Sequence, residues 1–148
     1  MTDQPIAHTK DGRPLFDNTP TVVVMLVRDS ACLLVIRRAN EPGRGKLALP
    51  GGYHMRGEIW QQAGAREVAE ETGYVLEKPY LIQQVGDTVT DEYGNNLIFG
   101  FYNGPYRFDP AAKQDGETME CSWMPWIGFP DDWAFPRHWL AAKTELEN

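Results

Sequence analysis

Cationic side chains are in short supply in this sequence, which carries 14 Lys and Arg against 21 Asp and Glu for a net charge of -7. Phosphate backbones and anionic lipids are attracted by clustered Lys and Arg, so this balance argues against a nucleic-acid polymer or a membrane as partner. A small phosphorylated ligand stays open, because a bound metal ion would reverse the local field. Cysteine is rarer still. Cys32 and Cys121 form no CxxC and have no second pair, which speaks against a disulfide framework or zinc site, and both are expected to be buried, reduced thiols. The longest apolar run, Val22 to Val27, is far too short to span a bilayer. No basic stretch followed by an apolar one opens the chain, so a secretory signal is not indicated and a cytoplasmic location is expected.

A chain of 148 residues is expected to form one domain. Residues 1–19 are polar and contain two prolines, which suggests an N-terminal arm before a single domain over 20–148. TVVVMLV (21–27) and ACLLVIRR (31–38) read as a β-hairpin around the turn Arg28-Asp29-Ser30. The Pro/Gly-rich ANEPGRGK (39–46) and the short LALP (47–50) lead into Gly51 and Gly52. A helix is predicted over Ile59 to Thr72, ended by Gly73 in a left-handed conformation. Beyond it, YVLEKPYLIQQVGDTVT and NNLIFGFYNG flank Glu92-Tyr93-Gly94-Asn95 as a second hairpin, ETMECSWMPW (117–126) supplies another strand, and a last helix runs from about Asp131 to Glu147. Strands on both sides of a central helix, with a second helix at the end, predict an α/β (α+β) fold with a mixed sheet between helices.

On the predicted helix Glu67, Glu70 and Glu71 lie at roughly 0°, 300° and 40°, one acidic face. Like charges at i,i+3 and i,i+4 cost roughly 0.2–0.5 kcal/mol per pair, so the cluster opposes the helix unless a cation offsets it. Carboxylate oxygens suit a hard cation such as Mg²⁺. Arg66, at about 260°, is within reach of Glu70. Ala63, Gly64, Ala65 and Ala69 are small and let backbone approach closely, so GGYHMRGE just upstream could lie against the acidic face. Glu58 at the helix start could cap it, join the metal cluster, or both. Taken alone, an E-x-x-E-E run is usually a solvated surface.

Here it stands inside a longer pattern: Gly52, five residues, Glu58, seven residues, Arg66-Glu67, aliphatic Val68, Ala69, Glu70-Glu71, Thr72, Gly73. This resembles the Nudix box of the Nudix hydrolase family, G-x5-E-x7-R-E-U-x-E-E-x-G-U with U a bulky aliphatic residue. Every fixed position matches, and Tyr74 at the final U is the one departure. The resemblance implies a Nudix-type α/β/α sandwich and hydrolysis of the diphosphate linkage of a nucleoside diphosphate derivative with Mg²⁺ or Mn²⁺. It implies Glu67, Glu70 and Glu71 as metal ligands, supported by Glu58 and Gly51. Arg66 would orient the glutamates, Gly52 would give the loop its tight geometry, and Glu70 or Glu71 would serve as base. In some members a downstream loop carboxylate takes that role, which makes Asp115, Glu117 and Glu120 candidates, with Asp91 and Glu92 behind them.

Arg37, Arg38, Arg44 and Lys46 precede the box and could meet phosphate; Arg37, Arg44 and Lys46 are taken as substrate-binding candidates together with Tyr53, Gly51 and Gly52. The aromatics Tyr53, Phe99, Phe101, Tyr102, Trp123 and Trp126 could stack on a base, although alternating aromatics in strands more often form core. Trp133, Phe135 and Trp139 are expected to dock the last helix. His8, His54 and His138 have no metal-ligand spacing. RRANEPGRGKLALPGGY and AFPRH look most like the ADP-ribose pyrophosphatase group, although Val89 stands where many of its members carry proline. A (d)NTP pyrophosphohydrolase with a sanitising role is the alternative reaction, a non-catalytic nucleotide-binding module the alternative class, and similar proteins suggest a homodimer through the N-terminal arm.

Overall fold

The structure, a computed structural model, describes residues 3–114 and 116–148. A small hairpin pairs β1 (Ala7–His8) with β2 (Pro14–Leu15). The main sheet begins with β3 (Thr21–Asp29) and β4 (Cys32–Arg38), then adds β5 (Leu47–Ala48) against β4 and β6 (Gly51–Tyr53) against β3. Helix α1 (Trp60–Thr72) follows, then β7 (Tyr74–Leu76), β8 (Gln83–Gln84), β9 (Val89–Thr90) and β10 (Asn96–Tyr102). β11 (Tyr106–Phe108) pairs with β7, β12 (Thr118–Met124) pairs with β4, and α2 (Pro136–Leu146) ends the fold. The spine of the sheet runs β12-β4-β3-β10-β8, with β10 parallel to β3 and the other pairs antiparallel.

The unbroken apolar run in β3 follows from its place between two layers, since a strand buried on both faces has no polar side to alternate with. Val24 and Leu26 join Trp133 and Ala142 on the α2 side, while Val23, Met25 and Val27 join Ala63 and Val68 on the α1 side. The result is the expected α/β/α sandwich with a mixed sheet. Helix α1 can sit low on β3 because Gly64 has no side chain; a Cβ there would stand 2.5 Å from the Met25 sulfur and 3.1 Å from Val23. The helix stops at Gly73, whose φ of 83° turns the chain away and whose N–H returns to the Ala69 carbonyl.

Three local expectations differ. The stretch after α1 is not one strand, because a 3₁₀ turn at Pro79–Leu81 interrupts it and proline cannot donate to a ladder. Two short pieces survive as antiparallel partners of β10: Val89–Thr90 opposite Asn96–Leu97, and Gln83–Gln84 opposite Gly100–Phe101. Helix α2 begins at Pro136 rather than near Asp131, since Pro130–Asp132 forms a separate 3₁₀ turn and proline suits a first helical position, where its missing N–H costs nothing. Cys32 and Cys121 are free thiols but only half-buried. At the far end of α2, Arg28 ties β3 to the helix by donating to both the carboxylate and the carbonyl of Glu145, at 2.9 and 2.8 Å.

Candidate active site

The acidic face of α1 is organised around Arg66. Its guanidinium donates to Glu58 twice (2.7 and 3.0 Å), to Glu67 (2.9 Å) and to Glu70 (3.3 Å), and also reaches the Tyr53 carbonyl at 3.0 Å. One planar fork therefore links the loop before the helix to two carboxylates on it. Glu71, 5% exposed, faces the sheet instead and accepts the Gly51 N–H at 3.1 Å. The helix start is closed by Gln62, whose side chain accepts the Ile59 N–H, while the Glu58 carboxylate accepts from Met55 N–H.

Gly51 and Gly52 are where the backbone meets this face. A Cβ on Gly52 would stand 2.4 Å from the Glu67 carboxyl carbon, and one on Gly51 would stand 2.4 Å from the Val23 carbonyl oxygen. The loop can thus approach both the sheet and the carboxylates only without side chains. Burial pushes the Glu67 pKa above its ordinary value, nearby Glu70 and Glu117 add to the rise, and Arg66 opposes it. The hydrogen bonds from Arg66 pull the Glu58 pKa down.

Among the described residues no three carboxylates, imidazoles or thiols already converge as a ligand set, since Glu67 and Glu70 are turned onto Arg66. The donor set nevertheless fits a hard divalent cation. It consists of carboxylate oxygens, one of them a desolvated Glu67 repelled by two neighbours, and a cation relieves both penalties. The Glu70 contact with Arg66 is the longest of the four, on a side chain still 35% exposed, so it is the carboxylate freest to turn.

A cavity of about 540 Å³ opens above this face, within the range of small-molecule sites. Glu67, Glu70, Glu71, Glu117, Gly51, Gly52 and Tyr53 all line it. Arg66 and Glu58 stand behind the carboxylates as their support. The remaining candidates are elsewhere. Arg37 and Lys46 line a separate groove beside Trp126 and Asp131, and Arg44 is exposed on the loop. Glu120 is the cross-strand partner of Arg37 and is paired with it at 3.1 Å, so neither reaches the cavity. Asp115 lies outside the described residues. The reason is strand alternation: successive side chains face opposite ways, so Arg38 enters the cavity where Arg37 cannot.

The rest of the cavity lining joins residues that the sequence does not bring together. It is built from Arg38, Tyr93, Asn95, Phe135, Arg137 and His138. The Arg38 guanidinium lies 5.1 Å from the centroid of the Phe135 ring and donates to the Pro42 carbonyl, and Tyr93 meets the same ring edge-on at 5.9 Å. These residues come from the end of β4, a hairpin turn and a helix start far apart in sequence, and the local signals for them are Arg38 among the cations before the box and the AFPRH tail. Of the aromatics read as base-stacking candidates, Phe99 and Tyr102 are core and Trp126 is exposed outside the cavity. Asp91 and Glu92 do line it, but Asp91 spends its carboxylate on the N–H groups of Tyr93 and Asn95.

Comparisons with known proteins agree with this architecture. The chain is 46% identical over 101 residues to an ADP-ribose pyrophosphatase of Methanocaldococcus jannaschii, covering 66% of this chain and 59% of that protein. It therefore spans under two-thirds of that relative's length. In fold it resembles a NUDIX hydrolase from Nitrosomonas europaea, with TM-score 0.70, 21% identity, and coverage of 93% of this chain and 76% of the other. It also resembles the NUDIX domain of Shewanella oneidensis NrtR complexed with ADP ribose, with TM-score 0.63, 21% identity and coverage of 89% of each. The family model for the NUDIX domain matches residues 17–142, nearly the whole sandwich and every carboxylate of the acidic face, and the chain belongs to the NUDIX family.

Proposed function

We propose that this protein is a metal-dependent hydrolase that cleaves the diphosphate linkage of a nucleoside diphosphate derivative, with ADP-ribose or a similar nucleotide sugar as substrate. The observation that carries the reading is the acidic face of α1, cross-tied by Arg66 and opening onto a cavity of about 540 Å³ whose lining also includes aromatic and cationic side chains. Such a cavity can take a diphosphate against the carboxylates and an organic group against the aromatic side chains. The 46% identity to an ADP-ribose pyrophosphatase supports the substrate class.

Glu67, Glu70 and Glu71 would hold Mg²⁺ or Mn²⁺, with Glu58 and Gly51 in support; when bound, the cation neutralises diphosphate charge and lowers the pKa of a water. The chain's own residues do the positioning. Arg66 holds Glu58 and Glu67 in one orientation, and Glu71 fixes the Gly51 loop through its N–H. Glu117, exposed at the cavity wall beside Glu67, is the carboxylate able to accept the proton of the attacking water, with Glu70 the other candidate. Glu71 is less suited because it is buried and already accepts from the loop. Of the four cations before the box, Arg38 takes the substrate-facing role in place of Arg37, Arg44 and Lys46.

The test is a panel of diphosphate substrates with Mg²⁺ and with Mn²⁺, products resolved by chromatography. AMP and ribose 5-phosphate from ADP-ribose are expected. Pyrophosphate and a monophosphate from a dNTP would move the assignment to the sanitising reaction. Full turnover in both Glu70→Gln and Glu71→Gln would overturn the catalytic site.

A further inference from the structure

One buried polar atom in the cavity wall has no part in the chemistry above. His138 is 8% exposed and lines the cavity. Its ring is packed against Phe135 at 4.7 Å and Phe99 at 6.2 Å between centroids. The Leu49 N–H donates to its Nδ1 at 3.1 Å. An imidazole nitrogen that accepts carries no proton, so the ring proton is on Nε2. Burial, with Arg38 nearby, pulls the ring's pKa down to about 3, which keeps it neutral across the physiological range. Nε2–H meets no protein acceptor among the described residues, and its donor capacity in a closed wall is costly unless a ligand answers it.

We infer that His138 is a specificity residue that reads the nucleobase of the substrate, its Nε2–H donating to a ring nitrogen or carbonyl oxygen of the base. The inference rests on the cavity being the substrate site. The carboxylates take the diphosphate, so the rest of the cavity lining receives either the nucleoside or the group linked to it. The apolar part of the lining favours the base: Phe135, met edge-on by Tyr93, and the aliphatic Val24 and Leu97. A neutral donor with no acceptor lone pair on the cavity side selects an acceptor atom and has nothing to offer a phosphate beyond one bond. Arg38, held over Phe135, leaves its remaining N–H groups for the phosphate side of the same nucleotide.

The experiment separates the two halves of the substrate. AMP and ribose 5-phosphate are titrated calorimetrically into the wild-type protein and into His138→Asn, whose Oδ1 can still accept from Leu49 while the Nε2 donor is gone. AMP affinity is expected to fall about tenfold in the variant, with ribose 5-phosphate binding unchanged. In the wild type, the imidazole ¹⁵N spectrum is expected to place the proton on Nε2 and to move that resonance on adding AMP but not ribose 5-phosphate, a readout that holds even if the variant folds poorly. Equal AMP affinity in both proteins, no AMP binding by the wild type, or a loss confined to ribose 5-phosphate overturns the inference. Failure to hydrolyse any diphosphate while AMP binding follows the expected pattern overturns the hydrolase reading alone.

Discussion

Arg66 grips Glu58, eight positions earlier in the sequence, with two parallel donors, Nη2 at 2.7 Å and Nε at 3.0 Å. The same guanidinium orients Glu67 and Glu70, so it acts as the template from which the carboxylates are presented. Lysine keeps the charge and loses the fork. Arg66→Lys is therefore expected to weaken Mn²⁺ binding and turnover by about 10- to 100-fold, the range for groups that orient metal ligands. Metal titration and steady-state kinetics read the two effects; a lysine variant equal to wild type in both would show that charge alone suffices.

The two glycines of the loop should fail in different ways. In Gly52→Ala the new methyl would meet the end of the Glu67 side chain, 2.4–2.6 Å away, which can swing aside. The fold should survive and the activity should not. In Gly51→Ala the clash is with the Val23 carbonyl at 2.4 Å and the Val24 Cα at 3.0 Å, backbone of the central strand that cannot yield cheaply. Overpacking of this kind costs about 1–3 kcal/mol or more. Thermal denaturation and turnover measured on both variants check the contrast, and it is lost if Gly52→Ala melts early or Gly51→Ala does not.

The acidic half of this candidate site is legible because its residues are local: periodicity alone puts Glu67 and Glu70 together on the helix, with Glu71 one step round and turned to the sheet, and Gly52 and Glu58 are reached within a few residues. β3 was likewise readable, its apolar run marking a strand buried on both sides. What escaped depends on strand parity and long-range packing. Nothing in the run Arg37-Arg38 says which of the two faces the cavity until β12 is paired to β4, and Glu120 looked as good a base as Glu117 until the register set it opposite Arg37. Phe135 and His138 come to the cavity only because α2 docks on the sheet by way of Trp133 and Ala142.

That parity yields a paired test. Arg37→Ala and Glu120→Gln each break one solvent-exposed ion pair, worth about 0–1 kcal/mol, on the far side from the cavity, and should leave KM within about twofold. Arg38→Ala removes the cation held over Phe135 and should raise KM about tenfold, the cost of one charge-assisted hydrogen bond. Kinetics on the three variants decide it; a KM rise in Arg37→Ala matching that in Arg38→Ala would put the phosphate contact on the wrong face.

His138 also sets a pH signature of stability. Its pKa lies at about 3 in the fold against 6.5 for the free side chain, lowered first by burial and then by Arg38, with Asp91 opposing. The folded state thus stays unprotonated while the unfolded chain takes up a proton, so the stabilisation is fully present above pH 6.5 and is lost progressively as pH falls toward 3. One proton of difference is a slope of about 1.36 kcal/mol per pH unit, so about 2 kcal/mol should disappear between pH 6.5 and 5. His138→Asn removes the titration and keeps the acceptor for Leu49, and the difference between the two proteins cancels Glu67, whose raised pKa acts in the opposite sense. Urea denaturation at pH 7, 6 and 5 should show the wild type losing stability relative to the variant, because only the wild-type unfolded chain has the extra proton to gain; parallel curves would mean that the imidazole takes up its proton as readily inside the fold as outside it, and so that Nδ1 is not held as the acceptor of the Leu49 N–H.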